Sequence, residues 1–105
     1  MSLQEAQFGV GACVSHREFG YRGVVVDVDP IFDLTDDWYA AMAKSRPPKD
    51  QPWYHVLVHD SDHMTYVAER NLEADESHEP IRHPMLEEYL HDFDGERYRT
   101  RCAMN

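Results

Sequence analysis

The sequence predicts a mainly β fold, a small and strongly bent antiparallel barrel of about five strands. Two patterns favour it: apolar residues alternate with polar ones over several short segments, and glycines interrupt these segments where a chain would bend. A long irregular stretch also follows the second segment. Closure into a barrel would hide the edges of such a sheet. At 105 residues, the chain is expected to be a single domain over residues 1–105.

The first two strands are predicted within residues 8–29, with a turn at residues 18–20 between them. Gly20 and Gly23 predict a tight turn followed by a bend or bulge. The second strand carries Val25, Asp27 and Asp29 on one face, which we expect to be partly wet. The core-facing residues are Val10, Ala12 and Val14, then Val24, Val26 and Val28.

Residues 31–52 break the alternation and predict an insertion with a short helix. Thr35 or Asp36 can cap its N-terminus, and Lys44 lies near its end. The proline-rich segment SRPPKDQP then predicts a mobile loop.

Strand composition resumes at residues 53–60 and 63–69, which a short connection joins as a hairpin. Residues 70–75 can add a fifth short strand. A C-terminal helix is predicted over residues 84–94, with Gly95 as its stop. We expect residues 97–105 to form a flexible tail. The apolar residues at helical spacing are Met85, Leu86, Tyr89, Leu90 and Phe93.

The sequence holds no recognisable catalytic constellation, so neither an enzyme nor a cofactor is expected. The segment HDSDH at residues 59–63 is the best metal candidate, although turns are polar for ordinary reasons and we expect no metal. Asp27 and Asp29 lie about 7 Å apart on one strand face, a distance that a catalytic carboxylate pair can use. Exposed acid pairs are nevertheless common on strands.

The formal net charge of −10 disfavours nucleic acid and anionic membranes unless the basic residues cluster. No apolar run approaches the roughly 20 residues that cross a bilayer, so we expect a cytoplasmic protein without a membrane partner. Tyr21, Trp53, Tyr54 and Tyr66 either form a stacking platform or fill the core. The candidate partner- or DNA-binding residues are Arg17, Tyr21, Arg22, Lys44, Arg46, Lys49, Trp53, Tyr54, Arg97, Arg99 and Arg101.

Four stretches, FGVGACVSHREFGYRGVVVDVDP, PWYHVLVHD, TYVAERNL and IRHPMLEEYLHDFDGERY, occur in this order between residues 8 and 98. Together they resemble the YccV-like, or hemimethylated DNA-binding, domain family, whose bacterial members include the heat shock protein HspQ. The resemblance implies a small barrel of the SH3-like type with no catalytic residues. The insertion at residues 31–52 and the tail depart from the enterobacterial members.

The resemblance implies two activities. One is service to the Lon protease as a specificity-enhancing factor and substrate, in the heat shock response and in turnover of the initiator DnaA. The other is direct binding of hemimethylated DNA near the replication origin. It also implies self-association, with a trimer as one form. The acidic surface favours the protease role, with DNA binding as the alternative. Removal of residues 97–105 is then expected to weaken engagement of Lon without unfolding the barrel.

Overall fold

The structure is a computed structural model that describes residues 5–100 of the chain. It confirms a mainly β fold and a short helix in the 31–52 insertion. None of the helices within the described residues is long and apolar enough to cross a membrane. The elements are β1 (Cys13–His16), β2 (Arg22–Asp29), α1 (Asp36–Met42), β3 (Trp53–Val58), β4 (Met64–Ala68), a 3-10 turn (Glu69–Asn71), β5 (Leu72–Ala74), α2 (Leu86–Tyr89), β6 (Leu90–Phe93) and β7 (Tyr98–Thr100).

Five antiparallel strands form the main sheet in the order β4-β3-β2-β1-β5. The predicted closure is wrong: β4 and β5 are the two edges of the sheet, and no ladder joins them in the part of the chain that the structure describes. The 3-10 turn Glu69–Asn71 carries the chain directly from one edge strand to the other. Three residues of 3-10 helix span only about 6 Å, so the ends of the two edges lie close together and the sheet is strongly bent.

Strand β2 runs through the middle of the molecule, and this explains its three consecutive valines. Val24 and Val26 pack in one apolar cluster with the C-terminal segment, whereas Val25 packs in another with β3, β4 and β5. Val25 is therefore buried, whereas Asp27, predicted on the same partly wet face, is exposed. The register shift lies between Val25 and Asp27. The irregularity predicted at Gly23 therefore lies further along the strand. Gly23 allows β3 to approach closely, because a Cβ there would lie 2.6 Å from the carbonyl oxygen of Leu57.

Helix α1 is capped as the sequence predicts. The Thr35 hydroxyl accepts a hydrogen bond from the Trp38 amide at 3.0 Å, which satisfies one of the free amides of the first turn. The helix lays its aromatic side chains on the sheet. Trp38 meets Trp53 edge to face with 6.2 Å between ring centroids, and Phe32 meets Trp53 at 4.9 Å. These contacts hold the insertion against the edge of the sheet next to β4.

The predicted C-terminal helix is present but much shorter than residues 84–94. Only Leu86–Tyr89 are helical, and the chain then enters a two-stranded hairpin formed by β6 and β7. Gly95 has φ of 96° and lies in the connection between the two strands. Leu90 is fully buried, and its apolar neighbours at 86, 89 and 93 still pack on the core.

The predicted flexible tail over residues 97–105 begins too early. Tyr98 is 5% exposed and its hydroxyl accepts a hydrogen bond from the Ile81 amide at 2.8 Å. Tyr98–Thr100 form β7 and belong to the folded domain. Residues 101–105 lie outside the described residues.

Candidate nucleic-acid interface

The structure brings three separate chain segments, each of which carries basic residues, together at Ser45 and Asn71. The Arg70 guanidinium donates a hydrogen bond to the Ser45 carbonyl oxygen at 2.6 Å, and the Asn71 side-chain amide lies 3.5 Å from the Ser45 hydroxyl. The Arg17 amide in turn donates to the Asn71 carbonyl at 2.8 Å. We call this group, which also includes the two cations flanking Ser45, the basic cluster: Arg17, Lys44, Arg46 and Arg70.

The charges of the basic cluster are mostly not neutralised. All four side chains belong to exposed residues. Arg17 lies 3.4 Å from a Glu73 carboxylate, but both groups are more than half exposed and such pairs contribute little. The Arg46 guanidinium carbon lies 5.8 Å from the centre of the Tyr39 ring, and the residue has a positive φ of 55° in the loop that follows α1. Within residues 5–100, no ion pair holds the Lys44 ammonium.

Two other predicted cations are engaged in ion pairs. Arg22 donates two hydrogen bonds to one oxygen of Asp75, at 2.9 and 3.1 Å, and another to the Glu79 carbonyl. Burial acts to raise the pKa of Asp75, but the hydrogen bonds from Arg22 and Ser77 outweigh it, so the pKa lies below its ordinary value. Lys49 pairs with Asp36 at 2.9 Å, and its ammonium lies 4.4 Å from the centre of the Tyr39 ring.

The predicted cations at the C-terminus belong to a different part of the surface. Arg97 donates a hydrogen bond to the Val10 carbonyl at 3.0 Å, and Arg99 is exposed on β7 opposite His91. No hydrogen bond or ion pair within the described part of the chain links them to the basic cluster. Arg101 lies outside the described residues.

Two of the predicted aromatic contacts are core residues. Trp53 is 1% exposed with its indole N–H bonded to the Pro48 carbonyl, and Tyr54 is fully buried with its hydroxyl bonded to the Glu69 carboxylate. Burial is the main cause that raises the pKa of Tyr54. Tyr21 is half-buried, and its hydroxyl lies 2.8 Å from the Thr65 hydroxyl. Core filling is therefore the correct interpretation for Trp53 and Tyr54.

The exposed aromatic side chain beside the basic cluster is Phe19, two residues from Arg17. It is 71% exposed and its ring stacks on His16, with 4.6 Å between centroids. His16 Nδ1 accepts hydrogen bonds from the Glu18 and Phe19 amides, at 3.1 and 3.0 Å. Burial lowers the pKa of His16, which favours the neutral ring that these two bonds require. The turn therefore presents Phe19 in a fixed position.

Metal-ligating side chains converge elsewhere than the sequence suggests. Three possible ligand atoms lie within 4.8 Å of one another, one each from Asp27, Asp29 and His55. They meet because β2 pairs with β3 at this register. Asp29 already accepts a hydrogen bond from the Tyr66 hydroxyl at 2.7 Å, and His55 lies 3.3 Å from the same oxygen. Within residues 5–100, the HDSDH turn at residues 59–63 does not bring three such ligands together.

Sequence reasoning missed two residues of this surface, Arg70 and Phe19. Arg70 stands alone among acids and apolar residues along the chain, and only the fold places it at Ser45. Phe19 did carry a signal, since a large apolar residue in a predicted turn between two strands has no core position to occupy.

A comparison with known protein families found a match. A family model described as "Hemimethylated DNA-binding protein YccV like" matches residues 6–97. The match covers every strand of the main sheet, the insertion and most of the C-terminal hairpin.

Proposed function

The chain belongs to the YccV-like family of hemimethylated DNA-binding proteins, and from this premise we propose that it binds DNA directly through the basic cluster. The observation that carries the proposal is that three chain segments bearing four exposed cations meet at Ser45 and Asn71, in a chain whose formal net charge is −10. Exposed guanidinium groups and an ammonium on adjoining segments can contact phosphates of one strand. The module acts by binding, without catalysis.

Acidic surroundings limit the size of the contact. The cations outside the basic cluster include Arg22, Lys49 and Arg82, each of which is held by a carboxylate. The DNA backbone therefore meets about two to four neutralising charges, which corresponds to a slope of log K against log salt of about −2 to −4. Weak, local binding of this kind positions the protein on the duplex.

Phe19 is the side chain that we expect to face a base. A methyl group on a base is read by apolar contact, and the Phe19 ring is the exposed apolar surface nearest to Arg17 along the chain. Its stacking on His16 fixes the ring direction before DNA arrives. Discrimination between hemimethylated and unmethylated duplexes then depends on this ring.

Fluorescence anisotropy with matched hemimethylated and unmethylated duplexes tests the proposal. We expect saturable binding at low salt, tighter for the hemimethylated duplex, and a loss of that preference in Phe19→Ser. Arg82→Gln is the matched control, because it removes an exposed arginine that Asp60 holds at 2.8 Å on another part of the surface. Equal loss of binding in Arg82→Gln and Arg70→Gln would show that bulk charge, and not the basic cluster, binds DNA.

The second candidate function is the one that the sequence favoured, service to the Lon protease in the heat shock response, with an indirect effect on DnaA. The net charge of −10 favours a protein partner over a polyanion. Because Tyr98 is part of the core, the tail should be removed after Thr100 and not at residue 97. We expect this shorter deletion to slow Lon-dependent degradation while the unfolding midpoint stays the same. Unchanged degradation would refute the role of the tail.

Both candidate functions place the chain in the cytoplasm, where DNA and the protease are found. Self-association, with a trimer as one form, stays a prediction that sedimentation velocity can test. Screens against ester, phosphoester and nucleotide substrates should show no turnover.

A further inference from the structure

A groove of about 570 Å³ follows the outer edge of β4. The insertion forms one wall through Leu34, Trp38 and Met42, and the turn between β1 and β2 forms the other through Phe19 and Tyr21. All five residues of β4, Met64–Ala68, line the groove between these walls. The edge of the main sheet is therefore recessed between two apolar walls.

The hydrogen-bonding groups along this edge follow from the ladder between β3 and β4. The Val58 amide donates to the His63 carbonyl, and the Glu69 amide donates to the Pro52 carbonyl, both at 3.0 Å. In an antiparallel ladder such pairs alternate. The N–H and C=O groups of residues 64, 66 and 68 therefore point away from β3 and into the groove. No strand pairs with this side of β4 within residues 5–100.

Strand β4 itself carries none of the residues or irregularities that usually protect a free edge. Exposed edges carry lysine, proline or a bulge, which prevent pairing with another chain. The sequence of β4 is MTYVA, with no charge and no proline, and its ladder with β3 has no register shift. The exposed large apolar side chains also concentrate here: Phe19 at 71%, Met42 at 62%, and Leu34 and Met64 at 41%. Such a concentration marks an interaction site.

The shape of the groove selects a slender partner. A second copy would have to bring its own β4 into contact, but the walls of both grooves stand beyond the two edges and would meet first. A single extended peptide fits, because neighbouring strands lie about 4.8 Å apart and alternate side chains of the peptide point towards the two walls.

The charge at one end of the groove defines the chemistry of the peptide further. Lys44 lines the groove on the side of the insertion, and Glu18 lines it on the side of the turn between β1 and β2. Arg70 and Asn71 contact Ser45, the neighbour of Lys44, so the cationic side lies where β4 leads into the 3-10 turn. A carboxylate on the peptide would meet Lys44 there. The apolar part would lie between Met42 and Phe19.

We propose that the edge of β4 binds an extended peptide from a partner protein by strand addition, with apolar side chains at alternate positions and an acidic residue at the Lys44 end. Backbone hydrogen bonds to residues 64, 66 and 68 provide the pairing, and the walls select the side chains. The proposal goes beyond DNA binding and holds whether or not the chain binds DNA.

The test uses the full chain and a fluorescein-labelled peptide with valine at alternate positions, serine between them and a glutamate at each end, so that either strand direction brings a carboxylate to Lys44. A second peptide has the same side chains but N-methylated amides on the residues that pair with β4. We expect the first peptide to bind with a Kd below about 1 mM and the second to show no binding. On addition of the first peptide, hydrogen exchange of the Tyr66 amide should slow at least several-fold.

Met42→Ser removes part of one wall without touching the basic cluster, and Ile31→Ser is its matched control, since Ile31 is 44% exposed and does not line the groove. We expect peptide binding at least fivefold weaker for Met42→Ser and unchanged for Ile31→Ser, with DNA binding the same in both.

The proposal is overturned if both peptides bind equally or if Met42→Ser binds the peptide normally. It is also overturned if Met42→Ser abolishes self-association, or if a single-stranded oligonucleotide alone slows exchange at Tyr66. Failure to bind duplex DNA would leave all of these outcomes unchanged.

Discussion

Arg22 and Arg70 are the same residue type on the same small domain, yet their surroundings differ. Arg22 is 22% exposed and donates two bonds to Asp75, whose side chain is 6% exposed. Arg70 is exposed, and its described polar contact is a backbone carbonyl. Arg22 holds β2 to the segment after β5, whereas the charge of Arg70 stays available to a ligand. Counting cations along a sequence therefore overestimates the charge that a nucleic acid can meet.

The largest effect that this comparison predicts is on stability, at Arg22. Arg22→Met leaves the Asp75 carboxylate buried without its cation, so we expect the free energy of unfolding to fall by about 2–4 kcal/mol. Urea unfolding monitored by tryptophan fluorescence measures this. Arg82→Met is the control: both groups of its pair are at least half exposed, and we expect no measurable loss of stability. Equal losses would contradict the distinction between structural and exposed cations.

The next effect is on DNA affinity and concerns the exposed cations, of which Arg70 is the example. Lys44→Gln with Arg70→Gln should weaken duplex binding about tenfold or more at low salt, because two phosphate contacts are lost. The unfolding free energy should change by less than about 0.5 kcal/mol, since neither side chain is buried. Anisotropy titrations and urea unfolding on the same preparation separate the two. A stability loss as large as that of Arg22→Met would show that Lys44 and Arg70 stabilise the fold, as Arg22 does.

The smallest effect is the pH dependence that the Arg22–Asp75 pair introduces. The pKa of Asp75 in the folded state lies below its ordinary value of 3.8, because the hydrogen bonds outweigh burial. The unfolded chain then binds the proton first as pH falls. The stability from this group is present above pH 3.8 and is lost as pH falls through the lower pKa of the folded state. Asp75→Asn should show a smaller acid-induced fall in the urea midpoint than the wild type; identical pH profiles would contradict the pairing.

Local patterns were enough to predict the main sheet. Alternation over residues 8–29 and 53–69 predicts β1 to β4, since one residue in two must face a core. Helical spacing at residues 85–93 misled because four residues of true helix pass directly into a strand, and both place Leu86 and Leu90 on the core. The Asp94-Gly95 dipeptide, a common hairpin signal, was the evidence that should have favoured β6 and β7.

Closure of the barrel and the makeup of the candidate site depend on contacts distant in sequence. Whether β4 pairs with β5 depends on how far the 3-10 turn separates them, which no periodicity records. Lys44 and Arg46 were predicted from their spacing, but Arg70 joins them through a contact across 25 residues. The pairing of Arg22 with Asp75 spans 53 residues and was equally invisible in the sequence.

The salt dependence of DNA binding tests the central claim most directly. We predict a wild-type slope of log K against log salt between about −2 and −4, and a slope shallower by about 2 for the Lys44→Gln, Arg70→Gln variant. Arg82→Gln should keep the wild-type slope. A wild-type slope steeper than about −6, or the same slope in the double variant, would contradict binding through the basic cluster.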